Sequence, residues 1–189
     1  MNDPAQPLRA LSCADDYDPN SMPVAKAREV IARFLQPVTA TERLSVRAAL
    51  GRVLAEDVIS LLNVPAHDNS AMDGYAVHFA DLKGDGDVAL KVAGTAFAGA
   101  PFQGALKTGE CVRIMTGGVV PAGADTIVMQ EHVKAVQDRI TIGPGHKKGQ
   151  NLRRAGEDLK VGQVALKHGL PLRPAEVGLI SSLGIGEVT

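Results

Sequence analysis

Asp68, Asn69, Ser70 and Asp73 put four oxygen-bearing side chains within six positions. A carboxylate in that company can hold a metal ion or a hydrated metal. Pro65 turns the chain just upstream, because proline can continue neither a ladder nor a helix. Asp73-Gly74 is a tight-turn dipeptide, and Tyr75-Ala76-Val77 reads as the start of a strand. The carboxylate of Asp73 is therefore expected at a loop-to-strand junction, where a rigid scaffold can present it to a ligand. The same composition also suits an ordinary polar turn. A calcium loop is excluded, since counting from Asp68 places Met72 and Asp73 where an oxygen ligand and a glycine are needed. His67, Asp68, Asp73 and His78 match no zinc spacing.

Two further segments carry chemistry. Met115-Thr116-Gly117-Gly118 leaves an apolar run and turns on two glycines. Successive N–H groups at such a turn can form an anion-binding nest, with the Thr116 hydroxyl donating beside them. The glycines equally suit a plain strand end. Downstream, Arg153 and Arg154 precede Glu157 and Asp158. An arginine pair can grip phosphate bidentately or form ion pairs that pin segments together, and both readings stand. His146-Lys147-Lys148 reads as a solvated loop. No phosphate-loop, dinucleotide-binding or Gly-x-Ser-x-Gly signature occurs.

In order and separation, the three segments (65–77, 113–118 and 151–158) resemble the molybdopterin molybdotransferase family, which includes MoeA and the E domain of gephyrin. The resemblance runs from about Pro23 to the last residue. It implies that Asp73 and Thr116 are catalytic and that Asp73 holds Mg2+. It also places Ser70, Gly117, Arg153 and Asp158 among the substrate-binding residues. The implied substrates are molybdate and adenylylated molybdopterin (molybdopterin-AMP). The implied assembly is a homodimer with the site shared across subunits, and a molybdopterin adenylyltransferase is a possible functional partner. Family members continue into an α/β pterin-binding domain and a small β domain. This chain is thus expected to be the N-terminal part of such an enzyme, inactive by itself. The alternative is an interaction or scaffold module of the gephyrin type, and a weaker one is a stand-alone β-barrel that binds a small anion.

The elements that must position these residues follow from the pattern. Residues 1–22 read as a loose tail containing Cys13. A helix opens at Pro23 and ends by Pro37, its apolar Val24, Ala27, Ile31, Phe34 and Leu35 expected to be packed. Ser45 is placed to cap a short helix that Gly51 ends. Short strands are predicted at 75–79, 90–92, 111–115, 126–129 and 139–142, with an irregular or bulged stretch over 94–104 and a flexible linker at 143–149. A hairpin is expected over 161–166 and a helix from Pro174 to Gly184. The resulting class is α+β in two domains: a discontinuous helix-plus-strand domain (23–62 and 150–189) interrupted by a small, mostly-β barrel-like domain (63–149).

The totals bound the partners. A chain of 189 residues has enough length to bury a core. A net charge of −1 and 3% aromatic content suggest neither nucleic acid nor an anionic membrane as partner. No run approaches the ~20 apolar residues of a membrane span, and the start of the chain carries no secretory pattern. Two cysteines, Cys13 and Cys111, make no disulfide framework, so reduced thiols and a cytoplasmic location are expected.

Overall fold

The computed structural model describes residues 22–189. The expected tail, apart from Met22, and Cys13 lie outside the described residues. The chain is mostly strands with few helices. It divides into two compact units, Met1–Glu42 and Arg43–Thr189. In the first, helix α1 spans Val24–Phe34, with Pro23 at the N-cap and Leu35 leaving in extended conformation. Glu29 and Arg33 pair one turn apart on its surface. The expectation that its apolar stripe is packed is not met: Val24, Ile31, Phe34 and Leu35 are more than half exposed. The buried residue is Val30, which lies on the margin of that stripe.

The second unit holds twelve strands: β1 (Leu44–Ser45), β2 (Val58–Ile59), β3 (Asn69–Ser70), β4 (Gly74–Val77), β5 (Val88–Ala96), β6 (Glu110–Ile114), β7 (Thr126–Met129), β8 (Val133–Val136), β9 (Arg139–Ile142), β10 (Leu152–Arg153), β11 (Val164–Leu166) and β12 (Glu187–Val188). Helix α2, Pro174–Ser182, lies between the last two. Strand β1 pairs with β12 and β2 with β11, both antiparallel. Around them Val46, Ala49, Leu54, Val58, Leu172, Ile180 and Val188 form one apolar cluster. The short helix expected after Ser45 is instead a strand followed by hydrogen-bonded turns. The Val46 N–H bonds the Gly186 carbonyl, which draws Leu44–Ser45 into extended pairing and leaves room for little more than one turn before Gly51. Likewise the expected hairpin at 161–166 does not pair with itself. Its strand finds β2, about a hundred residues earlier.

Proline at N1 and a one-way cap from the Glu176 carboxylate start α2. Glu176 accepts the Arg173 backbone N–H at 2.9 Å and the guanidinium at 2.6 Å. That guanidinium bond, aided by the backbone, lowers the Glu176 carboxyl from 4.5 to about 2. A depressed carboxyl pKa gives stability that is present above the unfolded value and lost as pH falls through the folded one. Denaturant midpoints of the native chain should therefore drop between pH 4.5 and about 2. Glu176→Gln should lower the midpoint at neutral pH and make that acid slope shallower. An unchanged slope would remove this role.

Strands β7-β4-β6-β5-β9-β8 form one sheet in that order, antiparallel except for the β5–β6 pair. The edge strands β7 and β8 are joined by only three residues, Gln130–His132. Laid flat, six strands would put those edges about 24 Å apart. Three intervening residues, hence four Cα–Cα steps, reach only about 14 Å. The sheet must therefore curl on itself, and the expected barrel is an open, half-barrel version. Its two faces are both covered. Tyr75, Val77, Leu90, Cys111, Val128, Ile140 and Ile142 fill one. Ala76, Ala96, Val112, Ile114 and Ile127 face the other, under Phe102 and Leu106. Strand β5 is longer than expected and bulges between Val92 and Gly94, at the very start of the 94–104 stretch read as irregular. Strand β8 was not anticipated; it is a largely exposed edge that pairs only with β9.

Cys111 is fully buried, and burial pushes its thiol up to about 12. With Cys13 replaced by serine, a thiol reagent should label the folded chain only as fast as it unfolds. Rapid labelling at neutral pH would contradict the packing of β6. Among the described residues no helix is long and apolar enough to cross a membrane.

Candidate active site

Asp73 is the last loop residue before β4, which is hydrogen-bonded on both sides, to β6 and to β7. At the far end of β6 the chain turns at Thr116. The Thr116 N–H and its hydroxyl both donate to Asp73 Oδ1, each at 2.7 Å. The acidic and hydroxyl groups singled out from the sequence, 43 positions apart, are thus in direct contact. Those two bonds, with help from the Arg113 charge, hold the Asp73 carboxyl below its usual range. Oδ2 carries no hydrogen bond from any described residue. With the Thr116 proton spent on Oδ1, the pair presents acceptors: a carboxylate oxygen and the hydroxyl lone pairs.

Of the two readings of 116–118, the strand-end turn is the one seen, because the N–H groups that could form an anion nest are already used. Gly117 donates to the Ser70 carbonyl and Gly118 to the Met115 carbonyl, both at 2.8 Å. The Ser70 N–H returns a bond to the Gly118 carbonyl. The glycine turn is docked onto β3, so its donors serve the fold. Ser70 is buried, and its hydroxyl donates to the Met72 carbonyl at 2.5 Å, holding the loop that leads to Asp73.

The third segment joins through β10, antiparallel to β3, with Arg153 opposite Asn69. Arg153 pairs with Asp158 at 2.5 Å and lies 3.7 Å from Glu157. Arg154 pairs with Asp68 at 2.5 Å. Of the two readings left open for these arginines, ion pairing is the one realised in this structure. All three segments therefore meet around β3.

The sequence offers Asp68 as one oxygen among four, and the structure makes it a clasp. Oδ1 accepts the Ala155 N–H at 2.8 Å and Oδ2 the Arg154 guanidinium, while its carbonyl accepts the Val120 N–H. The Ala155 and Arg154 bonds lower its pKa. Sequence could have pointed to it only through its position five residues before Asp73. Asp68→Ala should cost about 1 kcal/mol, mostly from the Ala155 N–H, since an exposed ion pair contributes little. Denaturant unfolding checks the cost, and amide exchange at Ala155 should quicken. Unchanged exchange there would overturn the clasp.

Among the described residues no three histidine, cysteine or acidic side chains converge to hold a metal, so His67, Asp68, Asp73 and His78 form no joint centre. Asp73 fits a different arrangement. Magnesium is commonly held by one or two carboxylates, with water and substrate phosphates filling the rest of its sphere. Oδ2 of Asp73 suits one such position.

Solved structures define the class of protein that this curled sheet belongs to. The molybdopterin biosynthesis MoeA protein of Pyrococcus horikoshii OT3 matches with a TM-score of 0.76 and 36% identity, over 80% of this chain and 41% of that one. The chain itself belongs to the MoeA family: its residues 22–184 match the MoeA N-terminal region (domain I and II). The molybdopterin molybdenumtransferase of Haemophilus influenzae is 47% identical over 164 residues, covering 86% of this chain and 40% of that protein. Molybdopterin molybdenumtransferase 2 of Mycobacterium tuberculosis is 36% identical over 171 residues. The chain spans about two-fifths of the length of these relatives.

Proposed function

We propose that these residues form the N-terminal part of a molybdopterin molybdenumtransferase, contributing the Asp73–Thr116 pair to a centre that inserts molybdate into molybdopterin. The observation that carries the reading is the pair of hydrogen bonds that Thr116 donates to one oxygen of Asp73, which leaves the other oxygen open to a ligand. In this reading Asp73 Oδ2 holds Mg2+. When bound, the metal neutralises the phosphate and molybdate charges that must approach each other. Thr116 keeps the carboxylate ionised and aimed. Ser70 and Gly117 shape the loop and turn that carry the pair. Arg153 and Asp158 form a surface couple that an anionic substrate could open, the arginine then turning to phosphate.

The same proposal includes an interrupted arrangement, 23–62 and 150–189 around 63–149, supported by the pairing of β1 with β12 and β2 with β11. It also includes a homodimer sharing the site, an adenylyltransferase supplying molybdopterin-AMP, and a cytoplasmic location. The gephyrin-type interaction module is not favoured, because the relatives cited are named as transferases.

The test uses this chain continued into the C-terminal part of the Haemophilus influenzae relative, expressed in cells lacking their own transferase. Molybdoenzyme activity should be restored by the joined protein and by Thr116→Ser, which keeps the donor. Thr116→Ala should reduce it by about 100-fold, the scale of a lost preorganised donor. Residues 1–189 alone should restore none. Unchanged cofactor yield with Thr116→Ala, or full activity of residues 1–189 alone, would refute the reading.

A further inference from the structure

A second group of polar side chains shares no residue with the Asp73–Thr116 pair, although one of its members, Met129, pairs with Gly74 and the Gln130 N–H bonds the Asp73 carbonyl. A cavity of about 630 Å³ is lined by Met129, His132, the 143–145 turn, His146, Gln150 and Asn151. No carboxylate lines it. The His132 and His146 rings lie 6.4 Å apart across it, tilted by 36°.

The hydrogen bonds fix which group donates. Gln150 Oε1 accepts the Lys147 N–H at 3.0 Å, and its Nε2 donates to the Ile127 carbonyl at 3.2 Å. The amide orientation is therefore set. The same Nε2 donates to His146 Nδ1 at 2.8 Å. Nδ1 is then an acceptor, and the neutral ring carries its proton on Nε2. No described residue accepts that proton. A metal-bound imidazole needs the opposite assignment, a bare coordinating nitrogen with the proton on the other one. Gln150 thus holds His146 as a donor and against metal ligation through Nε2. The backbone N–H groups of Gly145 and His146 likewise make no hydrogen bond to any described residue. Lys147 and Lys148 follow in the same loop, the latter 3.4 Å from Asp125.

We propose that this cavity binds a tetrahedral oxyanion of the phosphate, sulfate and molybdate class. His146 Nε2–H and the His132 ring grip adjacent oxygens, and the Gly145 and His146 backbone donors close one side. Hydrogen bonds of about 2.8 Å from two rings onto one oxygen or one edge of such an ion fit the observed ring spacing. Donors without competing carboxylates are what a small dianion requires. The site involves neither Asp73 nor Thr116, so it stands whether or not the catalytic reading holds.

The 189-residue chain is titrated with sodium molybdate, phosphate and sulfate at constant ionic strength, followed by calorimetry and by the histidine ring proton resonances. At least one ion should saturate with a dissociation constant of about 1 mM or tighter, moving both the His132 and His146 signals. His146→Ala and His132→Ala should each weaken it about tenfold, the cost of one hydrogen bond to a charged group. Unfolding midpoints verify that the variants are folded, and His132, being exposed, serves if the His146 variant is not. Molybdate bound about tenfold more tightly than phosphate would assign the site to the metal oxyanion; equal binding would assign it to phosphate groups generally. Three results would overturn the proposal: no saturation by ~50 mM, affinities unchanged in both variants, or zinc binding that depends on these two rings.

Discussion

Asp73→Asn, in the joined protein, should lower molybdoenzyme activity by about 100-fold or more while leaving the fold of this region intact. Asparagine keeps an oxygen for both Thr116 bonds, so the β4–β6 junction loses no hydrogen bond there. What disappears is the negative charge on the outward oxygen, the feature that would hold a divalent cation. The sign of the pH effect follows from the same geometry. Donation from Thr116 lowers the Asp73 pKa from its ordinary value, so the carboxylate is charged throughout the neutral range. An acid limb near neutrality cannot therefore belong to Asp73. Molybdoenzyme activity in cells, with thermal unfolding of the substituted 189-residue chain as a control for folding, gives the answer. Full activity with asparagine would remove the carboxylate from the mechanism. A lowered unfolding midpoint matching the lost activity would make its role structural.

Gly74→Ala should have the largest effect on folding, a loss above about 4 kcal/mol, in the range reserved for gross steric conflict. An added Cβ would sit 2.1 Å from the Val128 carbonyl oxygen and 2.9 Å from its carbon. Neither is the end of a flexible side chain. Both belong to β7, whose register with β4 is fixed by the pairs Gly74–Met129 and Tyr75–Val128. Strand β4 cannot retreat either, since β6 holds its other edge and both its faces are buried. Loss of a cooperative unfolding transition is the expected observation. Gly86→Ala is the matched comparison, because its added methyl meets open space and should shift stability by no more than about 0.5 kcal/mol. If Gly74→Ala unfolded within a few degrees of the parent, the tight β4–β7 approach described here would be wrong.

The two substitutions act on neighbouring residues for separate reasons. Gly74 is needed so that β7 can come close, and Asp73 sits where that close approach ends. The chemistry is thus built onto the most constrained strand of the sheet, where a carboxylate can be aimed without relying on a mobile loop. The clasp made by Asp68 extends the same logic to the third segment. A surface arginine pair becomes an ordered feature because a backbone N–H and a guanidinium share one carboxylate.

Local signals in the sequence reached a good part of this. Turn chemistry at Asp73-Gly74 and at the Gly117-Gly118 step, the apolar runs at 126–129 and 139–142, and the proline and glycine bounding α2 each rest on a few adjacent residues. Those elements are observed at or near the expected positions. Pairing was out of reach. Strand β11 bonds β2, and β1 bonds β12, because apolar groups far apart in the chain share one cluster. Strand β8 has too little burial to imprint a pattern on its residues. The fate of donors was equally hidden. The N–H groups at 116–118 suit a nest or a plain strand end alike until Ser70, Met115 and Asp73 are seen to accept them, and Arg153 suits a phosphate or an ion pair alike until Asp158 is seen beside it. Residue types and short-range turns therefore set which groups could act, since they depend on the conformational limits of neighbouring residues. Which of those groups remain unsatisfied and face outward was decided only by the folded sheet, because a hydrogen bond between distant segments is fixed by three-dimensional register.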